Sequence, residues 1–507
     1  MIRPALTALL ALLLAPAHIQ AAVPDATAFY QISLIANPAG VDPQIGGMDV
    51  MADGRLAVAF QRGDVQFYDP KSAAWQPFAE GLHLPLGVLA QKDGSLLVMQ
   101  RAELTRLRDT DADGLADDYQ TVWDGFGMTG NYHEFAFGPA VGPDGKLYLS
   151  LNCASNGDTI GKEIRGRWSE PGLPREGFYK DWKKNSKEAG RMYARVPWRG
   201  WVVQVDPATG KAVPWAGGFR SPDGIGFDAA GNLLVADNQG DWRGTSELHV
   251  VKQGGFYGHP ASLVWRDAWK DGDPQKLPIA KLDALRTPAA VWFPHNIYAN
   301  APGQPVVIPK TAAWGPYGGQ TLIGEMNVPR LLRVMLEETE GVWQGAIIPF
   351  IDTPKLKRGL NRMVFAGDTL WVGRIHLAWA GDEGISSILP TGPAPFDPLD
   401  IKVTPDGFRI TFTAPLDSSA LDPALWKIQR YGYAYHADYG SPQIGKTDLA
   451  PTAVHLDPTG ITVTLTLPEM KTGTVHDFDF KALRSRQGSS LLNPRLAYTL
   501  RRVPKMR

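Results

Sequence analysis

Six times along the chain an apolar stretch runs into a short glycine-bearing turn and comes back out as a second apolar stretch. The segments are MDVMADGRLAVAF at 48–60, VLAQKDGSLLVMQ at 88–100, GPAVGPDGKLYLSLN at 138–152, GIGFDAAGNLLVADN at 224–238, GPYGGQTLIGEMN at 315–327 and NRMVFAGDTLWVGR at 361–374. Asp-Gly, Gly-Asn and Gly-Asp supply the positive φ that tight hairpin turns require. The residues after each turn alternate, as in Leu56, Val58 and Phe60 or Leu147, Leu149 and Leu151, so each unit reads as a hairpin with one buried face. Such units recur every 40 to 50 residues except across two insertions, at about 153–200 and 256–310. Four strands per repeat and six repeats predict a six-bladed β-propeller over 22–390.

Composition agrees with an all-β chain. Fifty-four glycines and 41 prolines in 507 residues disfavour helical interiors, while 44% hydrophobic residues and 16 tryptophans exclude disorder. The 51 basic and 52 acidic residues leave a net charge of −1, so no global field favours nucleic acid. The single cysteine, Cys153, excludes an intrachain disulfide framework, a Cys-rich zinc site and a haem attached through Cys-x-x-Cys-His.

Residues 1–21 read as a cleaved secretory signal. Arg3 precedes an apolar run from Ala5 to Pro16, and Ile19-Gln20-Ala21 offers a cleavage site. The run is shorter than the ~20 residues that span a bilayer. The expectation is a periplasmic or secreted protein without stable membrane insertion. At the other end, a Pro-rich linker at 391–398 precedes strands near 399–403, 408–412, 426–431, 460–467 and 476–480. These predict a small β-sandwich, immunoglobulin-like in architecture, over 399–507. It holds no cluster of acid, base and nucleophile, so its expected role is packing or presentation.

The stretch DTDADGLADD at 109–118 has the spacing of a short calcium loop. Asp109, Asp111 and Asp113 alternate before Gly114, and Asp117 and Asp118 follow. The plainer reading is a solvated acidic turn.

Two further stretches are richer than a repeat unit needs. His133 stands before a strand in GMTGNYHEFAFGPAVGPDGKLY (127–148). Arg220 precedes a strand in GGFRSPDGIG (217–226), followed by Asn238-Gln239-Gly240-Asp241 and by GGFYGHP at 254–260. In this order and separation they resemble the soluble quinoprotein glucose and sorbosone dehydrogenases, six-bladed propellers, over roughly 45–390. The resemblance is closer still to a sorbosone-dehydrogenase-like, or membrane-bound-dehydrogenase-like, branch that shares the Asp-rich loop and the Asn-Tyr-His-Glu-Phe-Ala-Phe stretch.

That resemblance implies an exported sugar dehydrogenase with bound pyrroloquinoline quinone and calcium. His133 would be the general base and Arg220 a catalytic and cofactor-binding cation. Asn238, Gln239, Asn327, Arg330, Arg358 and Arg362 would complete the cofactor site, and Gly240, Asp241 and Tyr257 would hold its calcium. The chain departs from the family pattern at Ser221, where the family has asparagine, and at Asn327, where it has lysine. With no haem motif, electrons would leave to a separate acceptor.

Each residue also has a plainer reading. His133 links two blades, Arg220 pairs with Asp223 or Asp241, Asn238 and Gln239 cap loops, and Tyr257 packs. Two other functions therefore stay open. One is a cofactor-free polysaccharide lyase or hydrolase with His133 as base and Tyr132 or Tyr257 as acid. The other is a non-catalytic glycan-binding propeller. Finally, the insertion at 155–200 has 11 basic residues against six acidic ones and many aromatics. It is expected to form a lid over a neutral or acidic sugar, with Tyr132, Trp168, Trp182 and Trp198 contacting the substrate.

Overall fold

The expected turns close in a common way. Asp53 accepts the Arg55 amide at 3.0 Å, Asp93 that of Ser95 at 3.1 Å, and Asp144 that of Lys146 at 3.1 Å. The aspartate fixes the turn, and the glycine after it takes a left-handed φ, +91° at Gly54 and +73° at Gly145. The computed structural model describes residues 24–169, 174–181, 184, 190–267, 269–376 and 381–506. The leader expected at 1–21, and Trp182, lie outside them.

The described chain is all-β with a few short helices, and none of those helices is long and apolar enough to cross a membrane. Six antiparallel meanders of four strands succeed one another. Sheet one runs Ile45–Val50, Leu56–Phe60, Val65–Asp69 and Ala74–Ala79. Sheet two runs Val88–Ala90, Leu96–Met99, Leu104–Arg108 and Asp118–Trp123. Sheet three runs Ala136–Val141, Leu147–Leu151, Trp201–Val205 and Ala212–Gly217. Sheet four runs Gly224–Phe227, Leu233–Asp237, Ser246–Val250 and Val291–Phe293. Sheet five starts Pro302–Val307, Thr321–Glu325, Arg330–Thr339 and Val342–Asp352. Sheet six runs Leu360–Ala366, Thr369–Arg374 and Gly384–Pro390, and takes Tyr30–Leu34 from the start of the chain as its outer strand.

The first strands of successive sheets lie side by side, and the sixth returns to the first, so the sheets surround a common centre. Backbones meet closely there. A Cβ on Gly87 would sit 1.6 Å from the Gly138 carbonyl oxygen, and one on Gly224 2.0 Å from that of Gly303. Glycine at these two positions is a requirement of the ring rather than of a turn.

Three expectations need correction. Leu56–Phe60 and Leu147–Leu151 are buried on both faces, not one, because each sheet packs between two others. In the fifth unit the partner of Thr321–Glu325 is Pro302–Val307, and Gly315–Tyr317 is a 3-10 turn whose Pro316 cannot donate to a ladder. The insertion drawn to residue 310 therefore contains two strands of the ring, Val291–Phe293 and Pro302–Val307.

The C-terminal strands form two facing layers. One is Pro398–Thr404, Gly407–Phe412, Thr462–Thr466 and Ala453–Leu456. The other is Arg495–Leu500, Thr474–Asp479, Lys427–Gly432 and Ile444–Leu449, and it continues sheet five without a break. Gly345, Ala346 and Ile347 pair with Thr499, Tyr498 and Ala497. Phe408, Phe412, Trp426, Phe478 and Phe480 fill the space between the layers. The stretch at 391–398 is correspondingly no loose spacer. Asp397 is buried, accepts from Asn493 at 3.0 Å and faces Arg333 at 3.3 Å.

Candidate functional site

A cavity of about 380 Å³ opens at one end of the ring, where the connections entering sheets three and four meet. His133 reaches it from the connection between sheets two and three. That connection is held by buried polar groups. Asn131 accepts the His133 amide at 3.1 Å and the Ser155 amide at 3.0 Å, and donates to the Ser155 carbonyl at 2.8 Å. Arg199, fully buried, donates to the carbonyls of Gly127, Glu134 and Phe135.

The His133 imidazole meets the Cys153 carbonyl through Nδ1 at 3.2 Å. A carbonyl only accepts, so Nδ1 carries the proton and Nε2 keeps the lone pair. Burial, reinforced by the Arg220 guanidinium, lowers the pKa of the ring to about 4. The Cys153 amide donates to the Arg220 carbonyl at 3.1 Å, so the backbone of one residue joins the two signature residues. The Cys153 thiol is buried and pushed well above its ordinary range by that burial.

Arg220 stands on the connection into sheet four. Asp237, at the end of a sheet-four strand, accepts the amides of Arg220 and Ser221 at 2.8 and 2.7 Å. The Arg220 Nε donates to Asp241 at 2.8 Å. Gly240 lies directly behind it: a Cβ there would stand 1.9 Å from Nε, so only glycine lets the guanidinium lie where it does. Burial by itself would raise the Asp241 carboxyl. His259, at 3.1 Å, and Arg220 reverse this and hold it well below the usual carboxylate range.

Of the residues expected in the site, His133, Arg220, Asn238, Gln239, Asn327 and Tyr132 line the cavity. Others lie elsewhere. Arg330 pairs with Asp352 and donates to the Ile297 carbonyl at 2.7 Å. Arg358 is largely exposed beside Asp382. Arg362 plugs the centre of the ring below the cavity, donating to the carbonyls of Gly46, Leu86 and Asp223.

Gly240, Asp241 and Tyr257, expected to hold the cofactor's calcium, each have partners within the protein. Asp241 is spent on Arg220, His259 and the Met192 amide, and the Tyr257 hydroxyl on Val250 and Lys252. Trp168 packs on Phe178 inside the insertion, and Trp198 on Trp201 in the core, so neither faces the cavity. The insertion contributes Ser155, Asn156, Arg191 and Met192 instead.

In the Asp-rich loop, Asp109, Asp111 and Asp113 each bring a carboxylate oxygen within 4.8 Å of the others. Asp117 turns to Thr110 and Asp118 to Arg108, so the five-ligand set reduces to three.

Several lining residues had no site role in the sequence, Asp223 and Tyr439 among them. Asp223 accepts from Asn238 Nδ2 at 2.6 Å, and its burial, opposed by Arg362 and Asn238, raises its pKa to about 6. Its only signal was its place three residues after Arg220. Tyr439 lies between the C-terminal strands Lys427–Gly432 and Ile444–Leu449, to which no site was assigned, and nothing local in its sequence announces it. Among the lining residues, Asn238 Oδ1, Asn327 Oδ1 and His295 Nδ1 are buried with no hydrogen-bond partner among the described residues. Asn238 cannot turn its amide over, because its Nδ2 faces the Asp223 carboxylate. Its orphaned oxygen is therefore a fixed acceptor waiting for a donor.

Residues 69–171 match a family model described as a domain of unknown function, DUF7133. No curated protein matches the chain. Among solved structures, the chain is similar to a putative oxidoreductase (glucose dehydrogenase) from Thermus thermophilus, at 16% identity and TM-score 0.46, over 71% of this chain and 100% of that one. It is similar to the PQQ-bound aldose sugar dehydrogenase of Streptomyces coelicolor, at 16% identity and TM-score 0.48, over 71% and 98%. It is also similar to the PQQ domain of a pyranose dehydrogenase from Coprinopsis cinerea, at 11% identity and TM-score 0.46, over 71% and 95%.

Proposed function

We propose that the six sheets are the blades of a β-propeller and that the cavity at its mouth is the site of an exported carbohydrate oxidoreductase. One observation carries the reading. His133, with its lone pair on Nε2, shares a single cavity with the guanidinium of Arg220 and the amides of Asn238, Gln239 and Asn327. His133 takes the proton from a sugar hydroxyl. It is neutral across the physiological range, so the base is always ready. Asn238 Oδ1 and Asn327 Oδ1 accept from other hydroxyls of the same sugar, which removes the cost of their lost partners.

The donor set suits pyrroloquinoline quinone in its main part. Arg220 and Gln239 would hold the cofactor, Arg220 by matching its planar fork to a carboxylate or carbonyl. The quinone supplies a carbonyl that accepts a hydride. Burial by itself would lower the Arg220 pKa, but the Asp241 carboxylate outweighs it and raises it, so the residue stays charged with or without a ligand.

The test is reconstitution of purified protein with quinone and calcium. Quenching of intrinsic fluorescence reports binding, and dye reduction with a sugar panel reports turnover. Neither signal above background removes the quinone reading. The positions of Arg330, Arg358 and Arg362 then favour a second one, in which a cofactor-free lyase uses His133 as base and Tyr132 as acid. Product released from polysaccharide in the same samples identifies it.

Calcium is proposed separately for Asp109, Asp111 and Asp113. These carboxylates repel one another without a cation, and Asp109 Oδ1 is buried with no partner among the described residues. The loop is fastened to sheet one through the Ala116 amide and the Phe78 carbonyl at 2.7 Å, so a bound cation would join sheets one and two. Added calcium is expected to raise the melting midpoint of chelator-treated protein. The Asp111→Ala, Asp113→Ala variant is expected to show no such rise. An equal rise in both would overturn the assignment.

A further inference from the structure

A part of the chain remote in sequence finishes the cavity mouth. The segment 433–441 links two C-terminal strands and is laid over the sheet-four connection 238–245 that carries Asp241. The Trp242 amide donates to the His436 carbonyl at 3.0 Å, the Gly440 amide to Gly240 at 2.9 Å, and the Ser441 amide to Gly244 at 2.8 Å. The Tyr435 hydroxyl donates to the Gly258 carbonyl at 2.5 Å, and its ring packs on Trp242. These four hydrogen bonds and one ring contact seat the segment on the connection.

Tyr439 emerges from that seat into the cavity mouth with 52% of its surface exposed. The Arg191 guanidinium lies 4.4 Å from its ring centroid and that of Arg220 5.4 Å. The two cations differ in one respect. Asp241 neutralises Arg220, whereas Arg191 forms no ion pair among the described residues. The mouth therefore presents one uncompensated guanidinium, oriented by an aromatic ring that is itself open to ligand. A carboxylate satisfies the first and the apolar face of a sugar ring the second. A neutral sugar meets only the second.

We propose that Tyr439 and Arg191 form an outer subsite that selects a sugar bearing a carboxylate over its neutral counterpart. The proposal rests on the reading of the cavity as a sugar site. It makes the C-terminal strands part of substrate selection, and it places the charge recognition on Arg191, outside the residues assigned to the base and the cofactor.

Isothermal titration of the full chain with D-glucuronate and with D-glucose, at one fixed ionic strength, tests it. Wild-type protein is expected to bind glucuronate at least tenfold more tightly. Arg191→Gln is expected to erase that preference while leaving glucose affinity within twofold. Tyr439→Ala is expected to weaken both sugars, and Tyr439→Phe, which keeps the ring, to retain wild-type binding. Should Tyr439→Ala not fold, Arg191→Gln and Tyr439→Phe still decide. A preference that survives Arg191→Gln, or equal affinities in the wild type, overturns the subsite and leaves the sugar-site reading standing. Wild-type protein that binds neither sugar overturns both.

Discussion

His133→Asn is expected to lower kcat by about 10²–10⁴, the usual contribution of a positioned general base, while the cavity keeps its affinity for sugar. Asparagine preserves a donor toward the Cys153 carbonyl but has no basic nitrogen where Nε2 stood. The pH profile makes the assignment specific. A histidine held near pKa 4 is fully in its base form a unit higher, so kcat should rise below about pH 5 and stay level to pH 8. A base at the ordinary value near 6.5 would instead give a rise through neutrality. Arg220 is the second cause of the shift after burial, so Arg220→Gln should move the inflection upward. A rate that His133→Asn leaves within threefold of wild type removes the residue from the chemistry.

The second large effect is on stability. Asp241 and Arg220 are buried to within a few per cent, with Nε and Oδ1 2.8 Å apart. Asp241→Ala strands a buried guanidinium and should cost about 3–5 kcal/mol. With an unfolding entropy of roughly 2.1 cal/mol/K per residue, a chain of this size that melts as one unit loses about 3–5 °C.

The sign with pH follows from the shift. Asp241 is more acidic in the folded protein than an ordinary aspartate at 3.8. Its contribution is therefore complete above about pH 5 and is lost as the pH falls towards the folded value. The melting curves of wild type and Asp241→Asn should draw together in acid and stand furthest apart at neutral pH. A second substitution, Arg220→Met in the Asp241→Ala background, should recover part of the loss, because it removes the charge left unpaired. A midpoint within 1 °C of wild type for Asp241→Ala would show that the pair carries no net stability.

Asp241 also shows where sequence reasoning and structure part. Its place after a strand, beside Asn238 and Gln239, was legible, and so was its nearness to the site. Its role was not. Whether a carboxylate binds a metal or an arginine depends on which groups lie within 3 Å, and His259 and Arg220 come from other loops. The same holds for the four arginines. Only Arg220 faces the cavity, because Arg330 and Arg358 meet Asp352 and Asp382 on the outer side and Arg362 is drawn into the ring centre by three carbonyls.

The sequence by itself determined the hairpins, because an aspartate bonded two residues on and a glycine at positive φ are local facts, complete within four residues. It also brought His133 and Arg220 to strand entrances and Asn238 to a strand exit, all at one end of the ring. The tertiary structure alone decided the rest: that sheet five runs on into the C-terminal strands, that the insertion's aromatics fill their own core, and that Tyr439 comes to lie beside Arg191. The first and the last turn on contacts between residues far apart in the chain, Gly345 with Thr499 and Arg191 with Tyr439, and the second on packing within one loop, Trp168 on Phe178 and Phe178 on Tyr193. Their energies come from burial and charge pairing, which no local pattern records.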